Sequence, residues 1–170
     1  MVTEKLPDAL SYVVDPTELA PELRALKDYW NSKRGIRTMP RRADIDPLEL
    51  RHHLPWLSLV EVLDGTQDFR FRLLGTEVTN ALQRDSTGKT VREVYGDAEP
   101  DVLRWMLDVY TIAVTQKCPV LRRGTLRVVN KDFVTFESLH LPLSDDGVVV
   151  NMLIGRSRRI TGGVASQETE

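Results

Sequence analysis

Residues 57–76 read LSLVEVLDGTQDFRFRLLGT, and this stretch decides the fold. Leu57–Leu63 is short and β-prone, and Asp64-Gly65 is turn chemistry. Beyond the turn, Phe69, Phe71 and Leu73 alternate with Arg70 and Arg72. A period of two sends alternate side chains to opposite faces, so the stretch predicts a hairpin with one half-buried face. Farther on, Val120–Val129, Phe133–Leu143 and Val148–Gly155 are three more β-like runs. Asn130-Lys131-Asp132 and Ser144-Asp145-Asp146-Gly147 supply the turns between them. Three strands joined by short turns predict an antiparallel meander.

Helical signals separate the hairpin from the meander. TEVTNALQRD, residues 76–85, reads as a short helix, and Thr90-x-x-Glu93 is a capping box ahead of Val91, Val94 and Tyr95. A longer helix is predicted from Pro100 to Lys117. Upstream, Pro21 opens a helix over 21–34 with an apolar stripe of Leu23, Leu26 and Trp30, and Gly35 ends it. In DIDPLELRHHLP, Asp46 caps a short helix, Glu49 completes its capping box, and Pro55 closes it. The expected architecture is α+β: a five-stranded antiparallel sheet with helices on one face and an N-terminal helical cap. Strand–helix–strand alternation does not run through the chain, which argues against a doubly wound parallel sheet. The chain divides into a helical cap and basic connector (1–45), a core (46–160) and a disordered tail (161–170).

Bulk properties narrow the function classes. With 170 residues the chain is one domain's length. A net charge of -2 gives no global field for nucleic acid. Cys118 stands alone, so no internal disulfide framework exists and a reducing compartment is expected. The N-terminus has no basic start followed by an apolar run, so no secretory signal is expected, and no apolar run is long enough to span a membrane. A cytoplasmic protein is the expectation, without nucleic-acid or membrane partners.

Several local motifs occur in order: Tyr29-Trp30 at the end of the first helix, Pro40 to Pro47 as PRRADIDP, Arg72 to Thr76 as RLLGT, Asp85 to Gly88 as DSTG, and Glu137 to Leu143 as ESLHLPL. Together they resemble a bacterial subfamily of stand-alone PAS-domain proteins, over about residues 22–156. One departure is Gln83, where that family often has glycine. The resemblance implies a PAS-like fold and a regulatory role: sensing a small molecule within the core, or binding a protein partner in a signalling pathway, often as a homodimer. It leaves the cofactor unknown, because PAS proteins hold haem, flavin, organic acids, lipids or nothing. In the flavin photosensors of this fold a cysteine follows the second strand; the matching TNALQRD has none, and Cys118 lies on another element.

Candidate residues follow. His52 and His53 are adjacent on a short helix, point about 100° apart and do not make a metal site; no metal ligand set is expected. In the fourth strand, Val134, Phe136, Ser138 and His140 share one face, and Phe133, Thr135, Glu137, Leu139 and Leu141 the other. The second set is more apolar, so Glu137 needs a partner there, from Arg70, Arg72, Arg122 or Arg127. Two readings stand: a polar anchor at the mouth of a ligand cavity, or a salt bridge that fixes the sheet. The ligand-lining candidates are Phe71, Leu73, Tyr95, Met106, Tyr110, Glu137 and Leu139. The long helix carries a stripe of Leu103, Met106, Leu107, Tyr110 and Val114, and a second of Val102, Trp105, Val109 and Ile112. Something must cover the second: the N-terminal helix with Leu23, Leu26 and Trp30, or another molecule. These seven residues are the interface candidates. The basic clusters around Arg37 and Arg158 read as solvated, with Arg41 or Arg42 pairing to Asp44 or Asp46. No catalytic motif is present, so no enzymatic activity is expected. The alternatives are a ligand-free adaptor and, in a different class, a small isomerase-like enzyme using Glu137.

Overall fold

The structure, a computed structural model, describes residues 3–5, 11–96, 100–126 and 131–160. Arg127, the start of the Asn130 turn and the tail 161–170 lie outside them. Among the described residues there are four α-helices: α1 (Pro21–Arg34), α2 (Thr76–Leu82), α3 (Val91–Tyr95) and α4 (Pro100–Gln116). Seven strands form one sheet: β1 (Thr3–Lys5), β2 (Ser11–Val14), β3 (Leu57–Leu63), β4 (Asp68–Leu74), β5 (Val120–Leu126), β6 (Lys131–Leu143) and β7 (Met152–Ile160). Their order is β1-β2-β5-β6-β7-β3-β4, and all neighbours are antiparallel.

The expected five strands form the α+β core. The two additional strands come from the N-terminal segment read as a helical cap: Ser11–Val14 pairs with β5 and extends the sheet edge. SYVV is too short to show a period, so only the open edge of β5 reveals its role. The 47–53 stretch is a series of turns rather than an α-helix. Asp46 does cap it, accepting from Leu48 N at 2.8 Å. Glu49, however, turns away from the expected capping box. It takes Lys33 Nζ at 2.6 Å and the Tyr29 hydroxyl at 2.9 Å, and those two hold its carboxyl below the usual range.

The last strand also begins later than predicted. Asp146 Oδ1 accepts from the N–H groups of Val148 and Val149 at 2.8 and 2.7 Å, tying both valines into a loop. The β-branched residues that signalled a strand there are consequently exposed.

The recurrent motifs hold backbone. Tyr29 accepts from Asp46 N at 2.9 Å, and Trp30 Nε1 donates to Pro142 O at 2.8 Å. Pro40 O accepts from Ser144 N at 3.0 Å. Gly75 lies so close to the 54–55 backbone that a Cβ there would sit 2.2 Å from Leu54 O. Gln83, at the glycine position, adopts the left-handed conformation (φ 54°) and caps α2. The Thr90–Glu93 capping box forms in both directions, at 2.6 and 3.2 Å.

Both faces of the sheet are covered. Helix α1 packs on β6 and β7, with Leu23, Leu26 and Trp30 buried beneath it. Helices α2, α3 and α4 lie over the opposite face. No described helix is long and apolar enough to cross a membrane.

Candidate functional site

A cavity of about 100 Å³ lies between the sheet and α2, α3 and α4. Helix α4 supplies Val102, Trp105, Met106 and Tyr110; α2 supplies Val78, Ala81 and Leu82; α3 supplies Tyr95. The floor is Ser58 of β3, Phe71 and Leu74 of β4, Arg122, Gly124 and Thr125 of β5, Phe136 and Ser138 of β6, and Ser157 of β7, with Trp56 at one end.

Four of the seven ligand candidates, Phe71, Tyr95, Met106 and Tyr110, line this cavity. Leu73, Glu137 and Leu139 do not, for two physical reasons. Between Leu59/Val60 and their partners the register shifts: Leu59 opposes Leu73, and Val60 opposes Phe71. Arg72 is the extra residue of a β-bulge, which reverses the alternation and hands the cavity face to Leu74. On β6 the more apolar set does face a buried layer, but that layer is α1. Leu139 and Glu137 lie there, while Phe136 and Ser138 face the cavity.

Glu137 is buried, and its two carboxylate oxygens are divided between two arginines. Oε1 receives Arg123, its cross-strand neighbour on β5. Oε2 receives Arg158 of β7 at 2.8 Å. Arg158 also lies 3.8 Å from Glu22 on α1, so one network ties the helix to the sheet. The basic cluster around Arg158 therefore lies within β7 and is partly drawn into the fold, with Arg156 buried beside it. The cluster around Arg37 is likewise tied down: Arg37 meets Asp44 at 2.7 Å, the pairing role expected of Arg41 or Arg42.

The interface candidates also turn inward. Leu23, Leu26, Trp30, Trp105 and Val109 are buried, and Val102 and Ile112 are partly buried against the core. Helix α1 is not the cover for the second stripe of α4, because it packs on β6 and β7. Helix α4 touches β2, β4, β5, β6 and β7, so the widened sheet covers its inner side.

Sequence reasoning missed the polar groups of the cavity. Arg122 sits with its guanidinium 5.4 Å from the Trp105 ring centre and 5.8 Å from that of Tyr110, and it donates to Met106 Sδ. Trp105 Nε1 and Thr125 Oγ1 are buried with no hydrogen-bond partner. Ser138 and Ser157 satisfy each other at 2.7 Å. Behind Tyr110, His140 stands edge-on to its ring, 5.0 Å between centres, with both ring nitrogens unpartnered. Burial, then the charge of Arg122, holds this imidazole well below its ordinary pKa, so it is neutral. The strand register, Arg122 opposite Ser138 opposite Ser157, was the available signal for this row.

No cluster of three or more metal-ligating side chains occurs among the described residues. Cys118 lies outside the cavity lining, and burial followed by Asp15 pushes its thiol pKa up.

A family model described as "PAS domain" matches residues 19–156. No curated protein matches the chain. A solved structure described as "Structure of an RNA-binding Light-Oxygen-Voltage Receptor" aligns with a TM-score of 0.52 and 13% identity, covering 89% of this chain and 38% of that one. At that identity the likeness shows the fold alone, and the chain spans well under half of the other structure's length.

Proposed function

The chain belongs to the PAS domain family, and from that premise we propose that it is a sensory module that takes a small molecule into the cavity beneath α4 and reports its presence to a protein partner. One observation carries the proposal. The cavity combines apolar walls with buried polar atoms that the protein itself leaves unpartnered, which is the composition of a ligand site rather than of a packing flaw. A ligand-free adaptor would have those atoms satisfied or replaced by apolar groups. The isomerase-like alternative needs an acid isolated in an apolar pocket. Glu137 lies on the other face with two arginines, and among the described residues no carboxylate lines the cavity.

Output to a partner, or to a second copy of the chain, has Val102 and Ile112 as the interface candidates still partly exposed, since the other five are buried within the fold. The test is native mass spectrometry of the purified protein, followed by thermal melting against a metabolite panel. A retained small molecule, or a compound that raises the melting temperature, is the expected result. An apo protein that no compound stabilises would sink the sensor reading.

A further inference from the structure

We infer that the cavity takes a small organic monocarboxylate with a flat apolar body, anchored by Arg122; this rests on the cavity being a ligand site. Among the described residues, Arg122 is the only charged one in the lining. It has no ion pair with any described carboxylate, and the acceptor it meets, the Met106 thioether, is a weak one. Two of its neighbours in the lining, Trp105 and Thr125, also carry buried donors without partners, Nε1 and Oγ1. His140, neutral and behind Tyr110, adds no charge.

The site therefore offers one positive charge and an excess of donors. A carboxylate supplies one negative charge and several acceptor sites, and its shape matches the planar fork of a guanidinium. A phosphate dianion would leave a second charge uncompensated among apolar walls. The remaining walls include the rings of Phe71, Tyr95 and Phe136, which favour a flat partner. The volume of about 100 Å³ limits that partner to about one ring and a short acid arm.

The probe pair is phenylacetate and its neutral near-isostere phenylacetamide, titrated by calorimetry and followed by the indole N–H cross-peaks in ¹⁵N NMR, assigned from single Trp→Phe variants. Trp30 is an internal control, because its indole is fixed to Pro142 O. The expected result is acid binding at least tenfold tighter than amide, with the Trp105 peak moving and the Trp30 peak still. Arg122→Gln should bring the two affinities together, while Arg122→Lys keeps part of the preference. Equal binding of acid and amide by the wild-type protein overturns the carboxylate inference but leaves the cavity reading standing. Binding of neither, nor of toluene as an uncharged ring, overturns both. The wild-type comparison decides the matter even where a variant folds poorly.

Discussion

Alternate residues of the same strands build two very different faces of this sheet. Toward α1, β6 presents Glu137, Leu139, Leu141 and Leu143, all buried, with the carboxylate of Glu137 shared by two arginines. Toward α4 it presents Phe136, Ser138 and His140, along a cavity with unpartnered donors. Both faces are enclosed, yet only the α1 face is filled; it pairs Glu137, though Arg156 there keeps buried nitrogens without a partner. The closed face fixes where the strands lie. The hollow face keeps polar groups in hand, and such groups are costly unless something binds them.

The contrast predicts where truncation hurts most. Trp30→Ala on the closed face removes a nearly buried indole and its hydrogen bond to Pro142 O. The expected loss is about 4 kcal/mol, read from urea unfolding. A loss below about 1 kcal/mol would mean that α1 is not integral to the core. Glu137→Ala comes next. Breaking a fully buried pair costs about 3–5 kcal/mol. Here Arg123 is about half exposed and recovers water, so the expected loss is nearer 2 kcal/mol. Glu137→Ala should also leave the affinity of any cavity ligand unchanged. A selective loss of ligand affinity would return Glu137 to the site and undo the assignment of faces.

The closed face was far more legible in the sequence than the hollow one. Leu23, Leu26 and Trp30 announced themselves by helical spacing, and the motifs around Tyr29, Pro40 and Gly75 mark backbone junctions with strict chemistry. Apolarity was then a poor guide to the cavity. It selected Leu139 and Glu137 because their face is richer in leucine, but the most apolar face is the one that packs dry. Leu73 was lost to a single bulged residue, Arg72, which no pattern of period two can reveal. Arg122 was seen as a possible partner for Glu137, whereas strand register places it with Ser138 on the other face. The N-terminal hairpin was missed because a four-residue strand is defined by its neighbour, not by its own period.

His140 offers a gentler probe of the hollow side. Its folded pKa lies well below the ordinary 6.5, through burial first and Arg122 second. The unfolded chain recovers the ordinary value. Below about pH 6.5 the unfolded state binds a proton that the folded state refuses, so stability falls as pH drops toward the folded pKa. Above 6.5 neither state binds it, and this residue contributes no slope. The limiting slope is about 1.4 kcal/mol per pH unit. His53 is shifted the same way by burial, then by Arg156, and adds to the acid loss. His140→Gln should therefore flatten, without abolishing, the dependence of urea midpoints between pH 7 and 5. Identical slopes in variant and wild type would show that His140 is hydrated and that the face is wetter than its packing implies.

The smallest expected effect is the most discriminating. Adding three carbons to a well-filled core by Ala→Ile normally costs about 1–3 kcal/mol through displaced side chains. Ala81 on α2 is buried, but it borders the cavity, where the new atoms have room. Ala81→Ile should cost less than about 1 kcal/mol, because added apolar burial offsets local strain. The same atoms would occupy volume that a ligand needs, so phenylacetate binding should weaken by tenfold or more. Stability and binding would thus part company at one residue, as they cannot at Trp30. If the variant instead unfolds as readily as an overpacked core mutant, the cavity closes in solution, and the difference between the two faces disappears with it.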